Sequence, residues 1–216
     1  MGGSSVDPAS GLRMRRPGAR RALLTLSYID GLECAHRFAL SAVKEEVKSE
    51  LRLTDEQTSW PMLGMTISLV ASAVFVGLVA DRLCPNRIHT MALGLGFWSF
   101  AAVLAGLSRN IAALVAFRSM VGVGIGTFSV IAGPVLCDFY PPHELTLAFA
   151  MFSIAGPLGG AIGFGASGLL ASWLGWRVAL LLLACPNALG LASLMRVPEP
   201  SDGPCPTSTA ASSDAG

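Results

Sequence analysis

The chain has 216 residues, of which 52% are hydrophobic and only 13% charged, with a mean hydropathy of +0.59; a water-soluble domain carries roughly a quarter charged residues. A formal net charge of +1 with no basic stripe gives no electrostatic basis for nucleic acid as a partner. The charges cluster in Arg13–Arg21 and Lys44–Glu56 and leave nearly neutral stretches between, which is the layout of membrane spans joined by short polar loops.

In chain order, residues 1–20 form a basic tail, followed by an apolar run from Ala22 to Tyr28 that is superficially similar to a secretory signal but is interrupted by Asp30 and Glu33. A span needs about twenty apolar residues. Six windows are expected to qualify: 22–43, 60–80, 88–107, 111–137, 145–171 and 174–195. The reading is an all-α membrane protein with a six-helix bundle over residues 21–197 and a disordered tail over 198–216, whose Pro, Ser, Thr and Asp content buries too little apolar surface to offset the entropy of ordering. Between the first two windows, Lys44–Ser59 reads as an amphipathic connection with Thr54 capping a helix three residues before Gln57. Arginines 13, 15, 16, 20 and 21 before the first span, with Arg82 and Arg87 after the second, predict both termini on the cytoplasmic side. Cys34, Cys84, Cys137, Cys185 and Cys205 form no CxxC pair, so no metal, cofactor or disulfide framework is implied.

The first span carries Asp30 and Arg37 seven residues apart, close to two turns, so that the two point to one side as a structural ion pair or as a substrate or proton site. Glu33 and His36 add two more ionisable groups, and four in one span predict a break in the helix around Gly31–His36. The second span closes on Gly77-Leu78-Val79-Ala80-Asp81-Arg82: a glycine for close helix approach, an acid at a helix end and an arginine facing an anionic surface. Gly168-Leu169-Leu170-Ala171 at the end of the fifth span echoes it weakly, as a three-plus-three repeat would. Arg118 lies inside the fourth span, where a lipid-facing charge costs several kcal/mol, so it is expected to face a polar cavity or a partner acid. Gly122 and Gly126 share its helical face, which another helix or a ligand can approach closely. Asp138 to Glu144 forms the next turn, and Gly156, Pro157, Gly159, Gly160, Gly163, Gly165 and Gly168 give the fifth span a small-residue face with a proline, either a packing surface or a flexing element.

These motifs together resemble the major facilitator superfamily over about Leu24–Pro198. Arg118 to Gly126 is similar to its fourth-helix signature. Gly77, Asp81, Arg82 and Arg87 resemble its loop between second and third helices, and Gly156, Pro157 and Gly160 its fifth-helix motif. Within it, Phe97-Trp98-Ser99, Val121–Gly124 and Arg196–Pro200 look most like Spinster-type lipid transporters. The resemblance implies half of the superfamily fold, a three-plus-three inverted repeat, and alternating-access transport of a small amphiphilic organic anion in contact with membrane lipids. Asp30, Arg37 and Arg118 would sit at the substrate or ion site, with Gly77, Asp81, Arg82, Arg87, Asp138, Glu144, Gly122, Gly126, Gly156, Pro157 and Gly160 in gating motifs. The chain departs from the pattern at Ile125, where Spinster-type proteins have a glutamate, and in the first helix, where six residues separate Asp30 from Arg37. A complete facilitator has two such halves, so a homodimer, a missing second half or a truncated product is implied. The competing reading is a non-transporting scaffold or regulator. An enzyme is not expected: Gly165-Ala166-Ser167-Gly168 is superficially similar to an intramembrane serine nucleophile motif, but His36, His89 and His143 all precede it.

Overall fold

The computed structural model describes residues 16–83 and 86–198, with the backbone alone for 79–83. Among these are eight helices: α1 (Ala19–Ala42), α2 (Lys44–Leu51), α3 (Asp55–Leu83), α4 (Arg87–Gly106), α5 (Ile111–Phe139), α6 (Pro142–Leu174), α7 (Trp176–Ala184) and α8 (Pro186–Leu194). The two expected tails lie, at residues 1–15 and 199–216, outside the described residues.

Local chemistry sets the boundaries. The charged connection after α1 folds as the short helix α2, which ends on Arg52 in the left-handed region at φ 52°. Thr54 then caps α3 as its spacing predicts: its amide donates to Gln57 Oε1 (3.1 Å) and its hydroxyl accepts from the Gln57 amide (3.3 Å), satisfying two amides that the first turn leaves open. Asn110 Oδ1 accepts from the Ala113 amide (2.7 Å) to start α5. Pro142 starts α6 at a position where its missing N–H costs nothing, and the helix runs through Pro157 before ending at Gly175. The sixth expected window is divided between α7 and α8 at Cys185, because Pro186 cannot donate back to the preceding turn.

Five stretches are long and apolar enough to cross a membrane: 55–78, α4, α5, α6 and the 19 residues from Trp176 to Leu194. α1, at 24 residues, is long enough but carries Arg20, Arg21, Asp30, Glu33 and Arg37. The break expected at Gly31–His36 is absent, and α1 is continuous through it.

The helices alternate in direction. At one end Arg87 of α4 meets Asp138 of α5, and at the other, the α2 end, Glu50 meets Trp176 and Arg177 of α7. The principal interfaces are α1 with α6 and α3 with α5, followed by α4 with α5. Core residues Trp98, Phe128, Leu26, Ile29, Met91 and Ile125 fill the centre, each under 2% exposed. α5 is the most enclosed span, with 61% of its apolar window buried, whereas the α3 and α6 windows are only 11% and 17% buried and turn wide apolar faces outward.

Candidate substrate and gating site

The polar groups of α1 are placed by its helical period. Glu33, 4% exposed, forms an ion pair with Arg37 one turn later, the i,i+4 order in which an acid precedes its base. The other Glu33 oxygen lies 3.2 Å from Ser129 Oγ of α5, sharing that hydroxyl's one proton with the Ile125 carbonyl of the same helix (3.0 Å). Arg37 keeps 35% of its side chain exposed, so the pair is anchored inside and opens at one end. Asp30 does not close the expected pair with Arg37. Its carboxylate lies against α6 at Gly156, where an added methyl would come within 2.9 Å of Oδ2. Arg37 has the nearer acid one turn away, and that geometry displaces the longer seven-residue pairing.

Arg118 is buried at 2% exposure and faces neither of the partners expected for it. Its Nη1 donates to the main-chain carbonyl of His36 (3.0 Å), tying α5 to α1 one turn beyond Glu33. The His36 ring stands edge-on to Trp98 of α4 (centroids 5.4 Å apart, planes at 79°), and Asn187 of α8 lies next to it. Four helices thus bring one fully buried polar side chain each to the same place. Glu33, His36, Ser129 and Asn187 were not among the expected site residues; the four-residue spacing of Glu33 and Arg37 was the signal available for the first.

The glycine motifs separate into tight contacts and open positions. A Cβ on Gly122 would lie 2.2 Å from the Met65 carbonyl oxygen, and one on Gly126 2.1 Å from Ser72 Oγ, so α3 and α5 touch backbone to backbone. In α6, Gly159 faces Gly31 with 2.1 Å to its carbonyl oxygen, and Gly160 meets the Phe38 ring at 2.8 Å. Gly77 has only an ordinary contact with Val130 at 3.9 Å, and Gly165 and Gly168 face open space. Pro157 is exposed, and Glu144 lies half-buried in the first turn of α6. Arg87 Nη1 donates to Asp138 Oδ2 (2.8 Å), joining the first turn of α4 to the last of α5, with Asp138 4% exposed. The side chains of Asp81 and Arg82 lie outside the described residues. Ser167 is fully buried and donates to the Gly163 carbonyl. Among the described residues no group of His, Cys, Asp and Glu is placed to hold a metal ion.

The chain matches the family model of the Major Facilitator Superfamily over residues 32–213. Curated relatives include Protein spinster homolog 3 of Mus musculus, 28% identical over 198 residues, 89% of this chain and 38% of that protein. The Probable sphingolipid transporter spinster homolog 1 of Arabidopsis thaliana is 31% identical over 147 residues, 66% of this chain and 29% of that protein. A crystal structure of a bacterial homolog to human lysosomal transporter Spinster, inward-facing and occupied, superposes with a TM-score of 0.75 at 24% identity, covering 87% of this chain and 46% of that one. A D-xylose–proton symporter gives a TM-score of 0.72 at 18% identity over 84% of this chain and 49% of that one, a likeness of fold alone. The chain therefore spans under half the length of the proteins it matches. An integral, multi-pass membrane protein follows from this family and from the five apolar spans. The chain belongs to the Major Facilitator Superfamily and is Spinster-like within it, corresponding to the amino-terminal half of that fold.

Proposed function

We propose that this chain works as one six-span half of an alternating-access secondary transporter for lipid-like or organic-anion amphiphiles, with α1 as the charged sixth span and both termini on the cytoplasmic side. The observation that carries the reading is the Glu33–Arg37 pair, which joins α1 to Ser129 of α5 inside an apolar bundle and opens outward at Arg37. An ion pair so placed is costly unless it has a task, and a partly exposed guanidinium is suited to an anionic headgroup. The curated relative named as a probable sphingolipid transporter supports the substrate class. Asp30 beside Gly156 belongs to the same face of α1, and Arg118 positions α1 through the His36 carbonyl. The tight glycines 122, 126, 156 and 160, with Pro157 and the Arg87–Asp138 tie, serve as gating contacts, and Gly77, Asp81, Arg82 and Glu144 complete the motifs.

The outward apolar faces of α3 and α6 are then covered by a second half, supplied by another copy or by a separate segment. The test is uptake of a labelled lysolipid into proteoliposomes carrying the chain, with membrane crosslinking through Ile162→Cys on the exposed α6 face. Uptake that falls at least tenfold in Arg118→Ala and Arg37→Ala supports the carrier. Monomers alone beside positive uptake refute the dimer. A second reading, a non-transporting scaffold, is favoured by Arg118, whose guanidinium holds a backbone carbonyl rather than an open cleft. Uptake unchanged by both substitutions, or absent in the parent, favours the scaffold.

A further inference from the structure

Four buried polar side chains meet where α1, α4, α5 and α8 come together, and each keeps a polar atom unpaired. His36, Trp98, Arg118 and Asn187 are all 2% exposed or less. Arg118 reaches across to the His36 carbonyl, the His36 ring stands edge-on to Trp98, and Asn187 lies beside that ring. Yet His36 Nε2, Trp98 Nε1, Arg118 Nε and both amide atoms of Asn187 have no hydrogen-bond partner among the described residues. Buried polar atoms are paired in the great majority of cases, so five orphans at one junction call for an occupant.

The orphans are mainly donors. Arg118 Nε and the Trp98 indole can only donate, the Asn187 amide nitrogen donates, and His36 Nε2 donates in one of its two neutral tautomers. Asn187 Oδ1 is the one fixed acceptor. Charge points the same way. Among the described residues Arg118 forms no ion pair: Glu33 is taken by Arg37, Asp138 by Arg87 and Glu50 by Arg177. A guanidinium enclosed in apolar surroundings is destabilising unless a negative charge accompanies it. A water molecule satisfies hydrogen bonds but leaves that charge uncompensated. An amphiphile is too large, because the four side chains at the junction are almost wholly enclosed.

We propose that this junction binds a small monovalent anion of halide size, chloride above all, through Arg118 Nε, the Trp98 indole N–H, the Asn187 amide nitrogen and His36 Nε2. The ion neutralises Arg118 and gives α1, α4, α5 and α8 one shared set of charge-assisted hydrogen bonds. The site requires only the helix bundle, so it stands whether the chain transports or not, and it uses neither Glu33 nor Arg37.

The experiment is thermal unfolding of the full chain in detergent in sodium chloride, bromide or gluconate at equal ionic strength, with bromide quenching of indole emission as the direct probe. A ligand that binds only the folded state raises the melting temperature as its concentration rises, so chloride and bromide should stabilise the parent over gluconate. Trp98→Phe, which removes one donor to a charged group, should weaken halide binding about tenfold. It should also lose the saturable part of the bromide quenching. Asn187→Asp, which supplies the negative charge from within at nearly the same volume, should abolish the halide dependence, with folding checked by circular dichroism. Equal melting in all three salts overturns the proposal and leaves water as the occupant. A halide effect retained in both folded variants is a bulk salt effect and overturns it equally. A chain that takes up no lysolipid and keeps the halide dependence counts against the transport reading alone.

Discussion

At the scale of single residues, the question is how an apolar bundle keeps five charged side chains in one helix. α1 manages by spacing: Glu33 and Arg37 neutralise each other, and Ser129 supplies the hydrogen bond that the second carboxylate oxygen requires. Removing one partner leaves the other charge without compensation. Arg37→Ala is therefore expected to destabilise the protein by about 3 kcal/mol, the low end for a broken buried pair since Arg37 is a third exposed. The double variant Glu33→Leu/Arg37→Met should recover most of that loss, because apolar groups of similar volume replace a buried pair at little cost. Thermal unfolding in detergent checks both; equal losses in the single and double variants would show that the pair contributes packing rather than charge neutralisation. Part of this was legible beforehand. The Thr54–Gln57 cap follows from its motif alone, whereas Arg118, expected to meet a polar cavity or an acid, donates to the His36 main-chain carbonyl, a partner its position does not reveal. The Glu33–Arg37 pair was obscured because charge count suggested a broken helix, whereas helix geometry lets acid and base one turn apart cancel.

At the scale of elements, the two largest interfaces join helices distant in the chain order: α1 with α6, and α3 with α5. Both contacts use the same device, glycine against backbone, at Gly159 on Gly31 and at Gly122 on Met65. The weak Gly77–Ala80 and Gly168–Ala171 echo has no such contact: Gly77 meets only Val130 at 3.9 Å and Gly168 meets nothing within 4 Å. The sequence could not sort the six glycines of α6, since a glycine that admits a neighbour and one that faces lipid are the same residue. The structure separates them, and the sorting is testable. Gly159→Ala places its methyl where the Gly31 carbonyl stands and should cost about 1–3 kcal/mol, as overpacking does. Gly165→Ala meets nothing within 4 Å and should instead stabilise the helix by about 0.5–1 kcal/mol. Paired melting curves in one detergent decide it; opposite signs are expected, and a matching sign would mean that α6 is packed differently from this description.

At the scale of the whole molecule, one cluster ties the α2 end together. Glu50 of α2 accepts from Arg177 Nη1 and from the Trp176 indole, while Arg177 also donates to the Ser108 carbonyl in the connection between α4 and α5 (3.3 Å). Its guanidinium carbon lies 4.5 Å from the centre of the Trp176 ring. Three segments distant in sequence are thereby held at one point, while Arg87–Asp138 serves the opposite end. The hydrogen bond from Arg177, then that from Trp176, hold the Glu50 carboxyl below its usual value. A carboxylate with a depressed folded-state value binds protons less readily in the folded than in the unfolded chain. Its contribution is therefore fully present above the unfolded carboxylate value of about 4.3 and fades as pH falls through the lower folded one. The melting temperature of the native chain should exceed that of Glu50→Gln by a constant margin from neutral pH down to about 5 and converge with it below about 4. The margin will be small and sensitive to salt, since both side chains are partly in solvent, 46% and 33% exposed. Measured at low and high salt, a difference that persists unchanged at acid pH would show that Glu50 acts through the shape of its contact with Trp176 and not through its charge.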